Sequence, residues 1–240
     1  MLTDMPAPRV SRSECTLVIP AYNEEKRIAS LLSDISSFEG EIIFVCDGTD
    51  ATPALIEAYK AAHPTLRIRC LTFNTRLGKG GGVIAGIKAA STPYVGYMDA
   101  DGSAGISQMR VLFDRLASAD GAIGSRWIAG AVITVKQGPL RRMESRLFNL
   151  MVRLLFGLRY RDTQCGAKAF RKSALDAVMP DLRSNGFEFD VELLWHLQRR
   201  GFSVEEVAIA WENRDESKVA FSDAVRMLSG LVAVRFGRIP

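Results

Sequence analysis

Cys15-Thr-Leu-Val-Ile-Pro-Ala-Tyr-Asn-Glu24 reads as a short buried strand that breaks at a proline into a polar turn. The same pattern recurs three times downstream. Glu41-Ile-Ile-Phe-Val-Cys46 runs into Asp47-Gly-Thr-Asp50, Leu66 to Phe73 runs into Asn74 to Gly82, and Tyr94 to Met98 runs into Asp99-Ala-Asp-Gly-Ser103. Between these strands lie helical patterns. Residues 24–37 carry Ile28, Leu31, Leu32 and Ile35 at helical spacing, residues 53–62 suit a helix with Thr52 as N-cap and Pro53 in its first turn, and residues 79–90 form a Gly-rich helix start. The order β-α-β-α-β-α-β, with short connections, predicts an α/β fold: a mostly parallel sheet flanked by helices on both faces. Ligands of such sheets bind outside the carboxyl ends of the strands. The strand pattern alone thus puts the four polar clusters, Pro20 to Glu24, Asp47 to Thr52, Asn74 to Gly82 and Asp99 to Ser103, where a site belongs.

Working outward, a helix over 105–118 and a strand over Ala122 to Ser125 follow, then a Gly- and β-branched-rich loop over 126–139. Amphipathic helices are expected at 140–158, 188–200 and 218–236, with a late strand from Val204 to Ala210. The chain of 240 residues, 48% hydrophobic and 24% charged, has the composition of a folded globular protein. Residues 1–13 lack the apolar core of a signal peptide, and no apolar run reaches the ~18 residues that read as a membrane span. Four well-separated cysteines, with no CxxC spacing or Cys/His cluster, exclude a zinc pattern and fit a reducing cytoplasm. Net charge is only +4, yet Lys136 to Arg171 holds nine basic residues against two acidic ones. Such a segment points to an anionic partner, either phosphates or a membrane surface. Nucleic acid fits poorly, because these basic residues interleave with apolar stripes rather than with stacking aromatics.

Two carboxylates two residues apart on a turn, as in Asp99-Ala100-Asp101, can face one cation, and Mg²⁺ or Mn²⁺ takes such oxygen ligands together with water and substrate phosphates. The Asp47 carboxylate can accept hydrogen bonds from a base or ribose. Leu77-Gly-Lys-Gly-Gly-Gly82 lets backbone approach phosphate at a helix N-terminus, although it is neither a P-loop nor a dinucleotide fingerprint. His63 and His196 have no ligand-like surroundings and read as structural.

Taken together and in order, these segments resemble the family-2 glycosyltransferases of GT-A fold, specifically the polyprenyl-phosphate hexosyltransferases. The matching stretches are Val18-Ile-Pro-Ala-Tyr-Asn-Glu24, Phe44-Val-Cys-Asp-Gly-Thr-Asp50, the Asp99-Ala-Asp101 metal motif, Gly124-Ser-Arg-Trp127, Asp162-Thr-Gln-Cys-Gly-Ala-Lys-Ala-Phe170 and Phe187-Glu-Phe-Asp-Val-Glu192. Cys46 stands where the family usually has the first of two aspartates, so the base-contacting role is carried to Asp47 alone. The Asp162 segment and the Gly-Lys-Gly-Gly turn look more like the dolichyl-phosphate glucosyltransferases than the mannosyl enzymes.

The resemblance implies a metal-dependent inverting transferase that moves a hexose from a UDP- or GDP-sugar, with UDP-glucose favoured, onto polyprenyl or dolichyl phosphate. It implies a single GT-A domain over 1–240, with a nucleotide-sugar-binding half at 14–104, an acceptor half at 105–220 and an amphipathic C-terminal helix at 221–240. Asp99 and Asp101 become metal ligands. Pro20, Tyr22, Glu24, Asp47, Gly78, Lys79, Asp99 and Ala100 become donor-binding residues, and Asp101, Asp190 and Arg126 the catalytic set. An acceptor phosphate is already anionic and needs arginine rather than a strong base. Arg126 with Arg141 or Arg142 would hold it, while Arg214, Ser217 and Lys218 resemble a late donor-phosphate loop. Lacking an anchor, such a chain would sit in the cytoplasm, associated peripherally with the membrane surface or with a membrane-protein partner through 140–158 and 221–236 unless those helices pack in the core. Two alternatives keep the fold: a soluble acceptor, with Asp190 as general base, and a non-catalytic nucleotide-sugar-binding subunit. A nucleotidyltransferase would need an early G-x-G-T, which residues 15–25 lack.

Overall fold

A computed structural model describes residues 9–134, 139–212 and 221–236, with the side chains of 139–145 and 221–228 outside the description. Seven strands form one sheet: β1 (Cys15–Ala21), β2 (Glu41–Cys46), β3 (Arg67–Thr72), β4 (Tyr94–Tyr97), β5 (Gly121–Ser125), β7 (Lys168–Arg171) and β8 (Val204–Ala208), in the order β3-β2-β1-β4-β7-β5-β8. The neighbours β3-β2-β1-β4 and β5-β8 pair in parallel, whereas β7 runs antiparallel to both β4 and β5. A small second ladder pairs β6 (Val132–Ile133) with β9 (Ala210–Trp211), inside and beyond what reads in sequence as loop.

The helices are α1 (Ile28–Ile35), α2 (Thr52–Ala62), α3 (Gly78–Ala89), α4 (Ile106–Arg115), α5 (Pro139–Phe156), α6 (Lys172–Val178), α7 (Phe189–Arg199) and α8 (Phe221–Phe236). Strand residues alternate between two cores, as a sheet covered on both faces requires. Leu17, Ile19 and Ala21 of β1 pack with Ile28 and Leu31 of α1, Ile56 of α2 and Met109 and Leu112 of α4. Val18 faces the other way, with Val83 and Ile87 of α3, Val152 of α5, Leu175 of α6, Leu194 of α7 and Leu231 of α8. Gly86 brings α3 close, since a Cβ there would stand 2.2 Å from Val18 Cγ1.

Two local expectations are corrected. The helix expected from residue 24 starts at Ile28, because Asn23 takes a left-handed φ of 54° and Glu24 to Arg27 form a turn. Thr52 is the first residue of α2 rather than its cap. Its hydroxyl accepts the Glu24 N–H at 2.8 Å, and Asp50 Oδ1 accepts the Thr52 N–H at 3.0 Å. The larger addition is β7 with α6. The antiparallel entry of β7 places Lys168 opposite Tyr97, at the same sheet end as the carboxyl termini of β1, β2, β4 and β5.

Candidate active site

The turns that follow β1 and β2 interlock at that end. Asn23 Oδ1 accepts the Thr49 N–H at 2.9 Å, and Gly48 is obligatory because a Cβ would stand 2.3 Å from the same oxygen. Asp47 closes β2. Its Oδ2 accepts the N–H groups of Leu77 and Gly78 at 2.8 and 3.1 Å, so it caps the start of α3, while Oδ1 takes Arg76 Nη1 at 2.9 Å. The Arg76 guanidinium stacks 3.3 Å above the exposed ring of Tyr22. Tyr22, Asp47 and Arg76 thus make one amphipathic shelf with unspent guanidinium donors. Pro20 of β1 instead backs Gly82 of α3, a packing position, and the Glu24 carboxylate is held bidentately by Arg27 at 2.8 and 2.9 Å. Burial, with Asp101 and Asp50 nearby, raises the Glu24 carboxyl against the pull of Arg27.

Gly78 opens α3 with φ of 75°, where a side chain would be strained and would meet the Asn185 carbonyl at 2.5 Å. The next residue, Lys79, reaches across to the turn after β4. Its Nζ lies 2.9 Å from Asp99 Oδ1 and 3.1 Å from Asp190 Oδ2. Asp101 Oδ1 accepts the Ser103 N–H at 2.8 Å, and Ala100 between the two aspartates is buried. Gly166 packs flat against Asp99, since a Cβ there would stand 1.9 Å from Asp99 Oδ2. Among the described residues no group of three or more His, Cys, Asp and Glu side chains forms a closed metal cage. Two carboxylates on one turn nevertheless fit Mg²⁺ or Mn²⁺, which complete their shells with water and substrate phosphates. Asp99 is paired with a cation, the Lys79 ammonium.

Asp190, in the first turn of α7, is fully buried and its oxygens are spent. Oδ1 accepts from Tyr97 Oη at 2.7 Å and Lys168 Nζ at 2.6 Å, and Oδ2 from Lys79. Burial pushes this carboxyl up, but the attraction of Lys168 and then Lys79 outweighs it and brings the group down to about 2. The same carboxylates hold the Lys79 ammonium raised against the opposing effect of burial. Burial and Asp190 together raise the Tyr97 phenol.

Arg126 follows β5 and is no loose surface arginine. Asp162 grips it bidentately, Nε at 2.7 Å and Nη2 at 2.9 Å, and accepts its backbone N–H at 3.0 Å. Trp127 and Trp211 flank the guanidinium at 5.7 and 5.3 Å. The side chains of Arg141 and Arg142, and all of Arg214, Ser217 and Lys218, lie outside the described residues. Arg146 of α5 is described and stands 5.0 Å from the Trp127 ring. Sequence reasoning left Arg76, Tyr97, Gly166 and Lys168 out of the site. In sequence Lys168 belongs to the basic segment that points to an anionic partner, whereas the structure buries it against Asp190. His63 and His196 keep structural contacts, with Tyr59 and Trp195 respectively.

A model of Glycosyl transferase family 2 matches residues 16–179. The chain is 33% identical to a dolichyl-phosphate beta-glucosyltransferase of Saccharomyces cerevisiae, over 92% of this chain and 73% of that protein. It is 32% identical to a polyprenol monophosphomannose synthase of Mycolicibacterium smegmatis, over 83% and 77%. In shape it is similar to glucosyl-3-phosphoglycerate synthase of Mycobacterium tuberculosis, solved with Mn²⁺, uridine diphosphate and glucosyl-3-phosphoglycerate, with TM-score 0.66 at 20% identity over 94% and 80% of the two chains. That likeness bears out the GT-A arrangement of sheet and helices. With the family model spanning more than half of the chain, and relatives above 30% identity covering most of it, this protein belongs to Glycosyl transferase family 2.

Proposed function

We propose that this glycosyltransferase moves a hexose, glucose from UDP-glucose in the first instance, onto a polyprenyl or dolichyl phosphate with inversion, using Mg²⁺ or Mn²⁺ held by Asp99 and Asp101. The observation that carries the reading is the convergence, at one sheet end, of a two-carboxylate turn, the Gly-rich start of α3 and the pinned guanidinium of Arg126. The Tyr22–Asp47–Arg76 shelf would take the base, and the Lys79 ammonium with the free Arg76 N–H groups suits the diphosphate. The metal, when bound, neutralises charge developing on the leaving diphosphate.

The acceptor half of the reading rests on what Asp190 and Arg126 can do. A carboxylate near pKa 2 that already accepts from two lysines and a tyrosine is a poor proton acceptor, so Asp190 serves to orient Lys79 and Lys168. A phosphate acceptor needs no such base. Arg126, fixed by Asp162 and flanked by indoles, keeps N–H groups free for phosphate oxygens. The two relatives' names carry lipid-phosphate acceptors as well.

Peripheral membrane attachment fits α5. Val152 and Phe156 point into the core, while Leu147, Leu150, Met151 and Leu154 form an exposed apolar stripe at helical spacing, Leu154 being 75% exposed. Val232 and Phe236 of α8 are exposed as well, and no helix among the described residues is long and apolar enough to cross a membrane. The testing experiment is a donor panel, UDP-glucose, UDP-galactose and GDP-mannose, each with polyprenyl phosphate in detergent and Mn²⁺. Labelled sugar in the lipid phase from one donor supports the reading. Nucleotide release without labelled lipid would point to a soluble acceptor.

A further inference from the structure

Lys79 and Lys168 share two carboxylates, Asp99 and Asp190, and the sharing is unequal. Lys168 is wholly buried in β7, donates to the Cys165 carbonyl, and lies 2.6 Å from Asp190 Oδ1. It therefore balances Asp190 by itself. Lys79 touches both carboxylates, at 2.9 Å from Asp99 and 3.1 Å from Asp190, and is the cation that balances Asp99. It is also the better placed of the two to move. Its side chain keeps 12% exposure, against none for Lys168, and it stems from the glycine-rich first turn of helix α3 rather than from a central strand. On its open side stands the exposed ring of Phe187, with its centroid 5.8 Å from the ammonium.

A divalent ion on Asp99 would meet that ammonium at contact range, and like charges so close cannot share one carboxylate oxygen without loss. We infer that Lys79 is the resident counter-ion of Asp99, competing with the divalent metal in the empty enzyme and passing to the donor's diphosphate when metal and nucleotide arrive together. The inference rests on Asp99 being a metal ligand. It makes metal binding without nucleotide weak, and it couples the two ligands: the diphosphate supplies the anion that Lys79 gives up in leaving Asp99. Asp190 is the pivot, because its Oδ2 keeps hold of Lys79 in the metal-free state.

The test is Mn²⁺ binding, read from the electron paramagnetic resonance of free Mn²⁺, for wild type, Lys79→Met, Lys79→Arg and Asp101→Ala, each with and without UDP. In the absence of UDP, Lys79→Met binds Mn²⁺ roughly tenfold more tightly than wild type, while Lys79→Arg, which keeps the competing charge, stays within a few-fold of it. The gain in Mn²⁺ affinity on adding UDP shrinks several-fold in Lys79→Met. Unchanged or weaker Mn²⁺ binding by Lys79→Met, alongside loss of binding in Asp101→Ala, overturns the role of Lys79 and spares the metal reading. Mn²⁺ binding absent from wild type even with UDP overturns both. A second measurement needs no variant: acetylation of Lys79 in the wild-type protein, followed by mass spectrometry. The rate rises when Mn²⁺ alone is added at saturation and falls again with Mn²⁺ and UDP together. A rate indifferent to Mn²⁺ contradicts the inference.

Discussion

A Cβ on Gly166 would stand 1.9 Å from Asp99 Oδ2, so Gly166→Ala must turn the Asp99 carboxylate away from its seat. The fold should survive, since the colliding atom ends a short side chain, while transfer falls on the order of 10²-fold. Steady-state rates and Mn²⁺ titration of the variant check this; wild-type metal affinity in Gly166→Ala would disprove it. Asp190 gives a prediction about stability rather than turnover. Replacing it by Asn leaves Lys168 buried without its partner, which costs about 3–5 kcal/mol near neutral pH. Its folded pKa of about 2 lies below the ordinary 3.8, so the carboxylate's contribution is complete above roughly pH 4 and is lost as pH falls through 2. Wild type should give up about 2 kcal/mol of that advantage over Asp190→Asn between those limits, as denaturant unfolding at a series of pH values would measure. The strand pattern marks Asp47, Lys79, Asp99 and Asp101, which lie in the turns after strands, while Arg126 and Asp190 are marked by the resemblance to family-2 glycosyltransferases. What the sequence hides is partnership. Nothing local says that Asp47 is spent on α3 and Arg76, or that Lys79 spans two carboxylates that lie 20 and 111 positions from it along the chain.

At the scale of elements, β1 to β4 with α2 and α3 were legible because apolar runs bounded by turn residues leave little choice. β7 was not. Four residues with a buried lysine at their head, Lys168-Ala-Phe-Arg171, offer no apolar run, and the lysine is tolerable only because Asp190 waits beneath the sheet on another helix. Yet this antiparallel strand delivers Asp162, Gly166 and Lys168 to the site. The helix at 140–158 was legible as a helix but not as to its surroundings. α5 turns Val152 and Phe156 inward and leaves Leu147, Leu150, Met151 and Leu154 exposed. Replacing Leu150 and Leu154 by Glu removes two apolar anchors, so co-sedimentation with anionic vesicles should drop roughly tenfold or more while UDP affinity holds. Undiminished vesicle binding would remove α5 from the membrane face.

For the whole molecule, the sheet order carries the account. It runs parallel through β3-β2-β1-β4, admits one antiparallel strand and resumes parallel at β5-β8. The turns that follow β1, β2 and β4 and the groups carried by β5 and β7 thereby meet at one end of the sheet. The β-α-β repeat made the first half predictable; the second depends on pairing between segments more than forty residues apart, such as Gly121 with Phe170 and with Val204. The most direct test is transfer of labelled glucose from UDP-glucose to polyprenyl phosphate in detergent, run with Mn²⁺, with chelator, and with Asp101→Ala. Labelled lipid that forms with Mn²⁺, vanishes with chelator and falls on the order of 10²-fold or more in Asp101→Ala is the predicted result. Transfer that is indifferent to chelator and to the loss of Asp101 would contradict a metal-held donor at this turn.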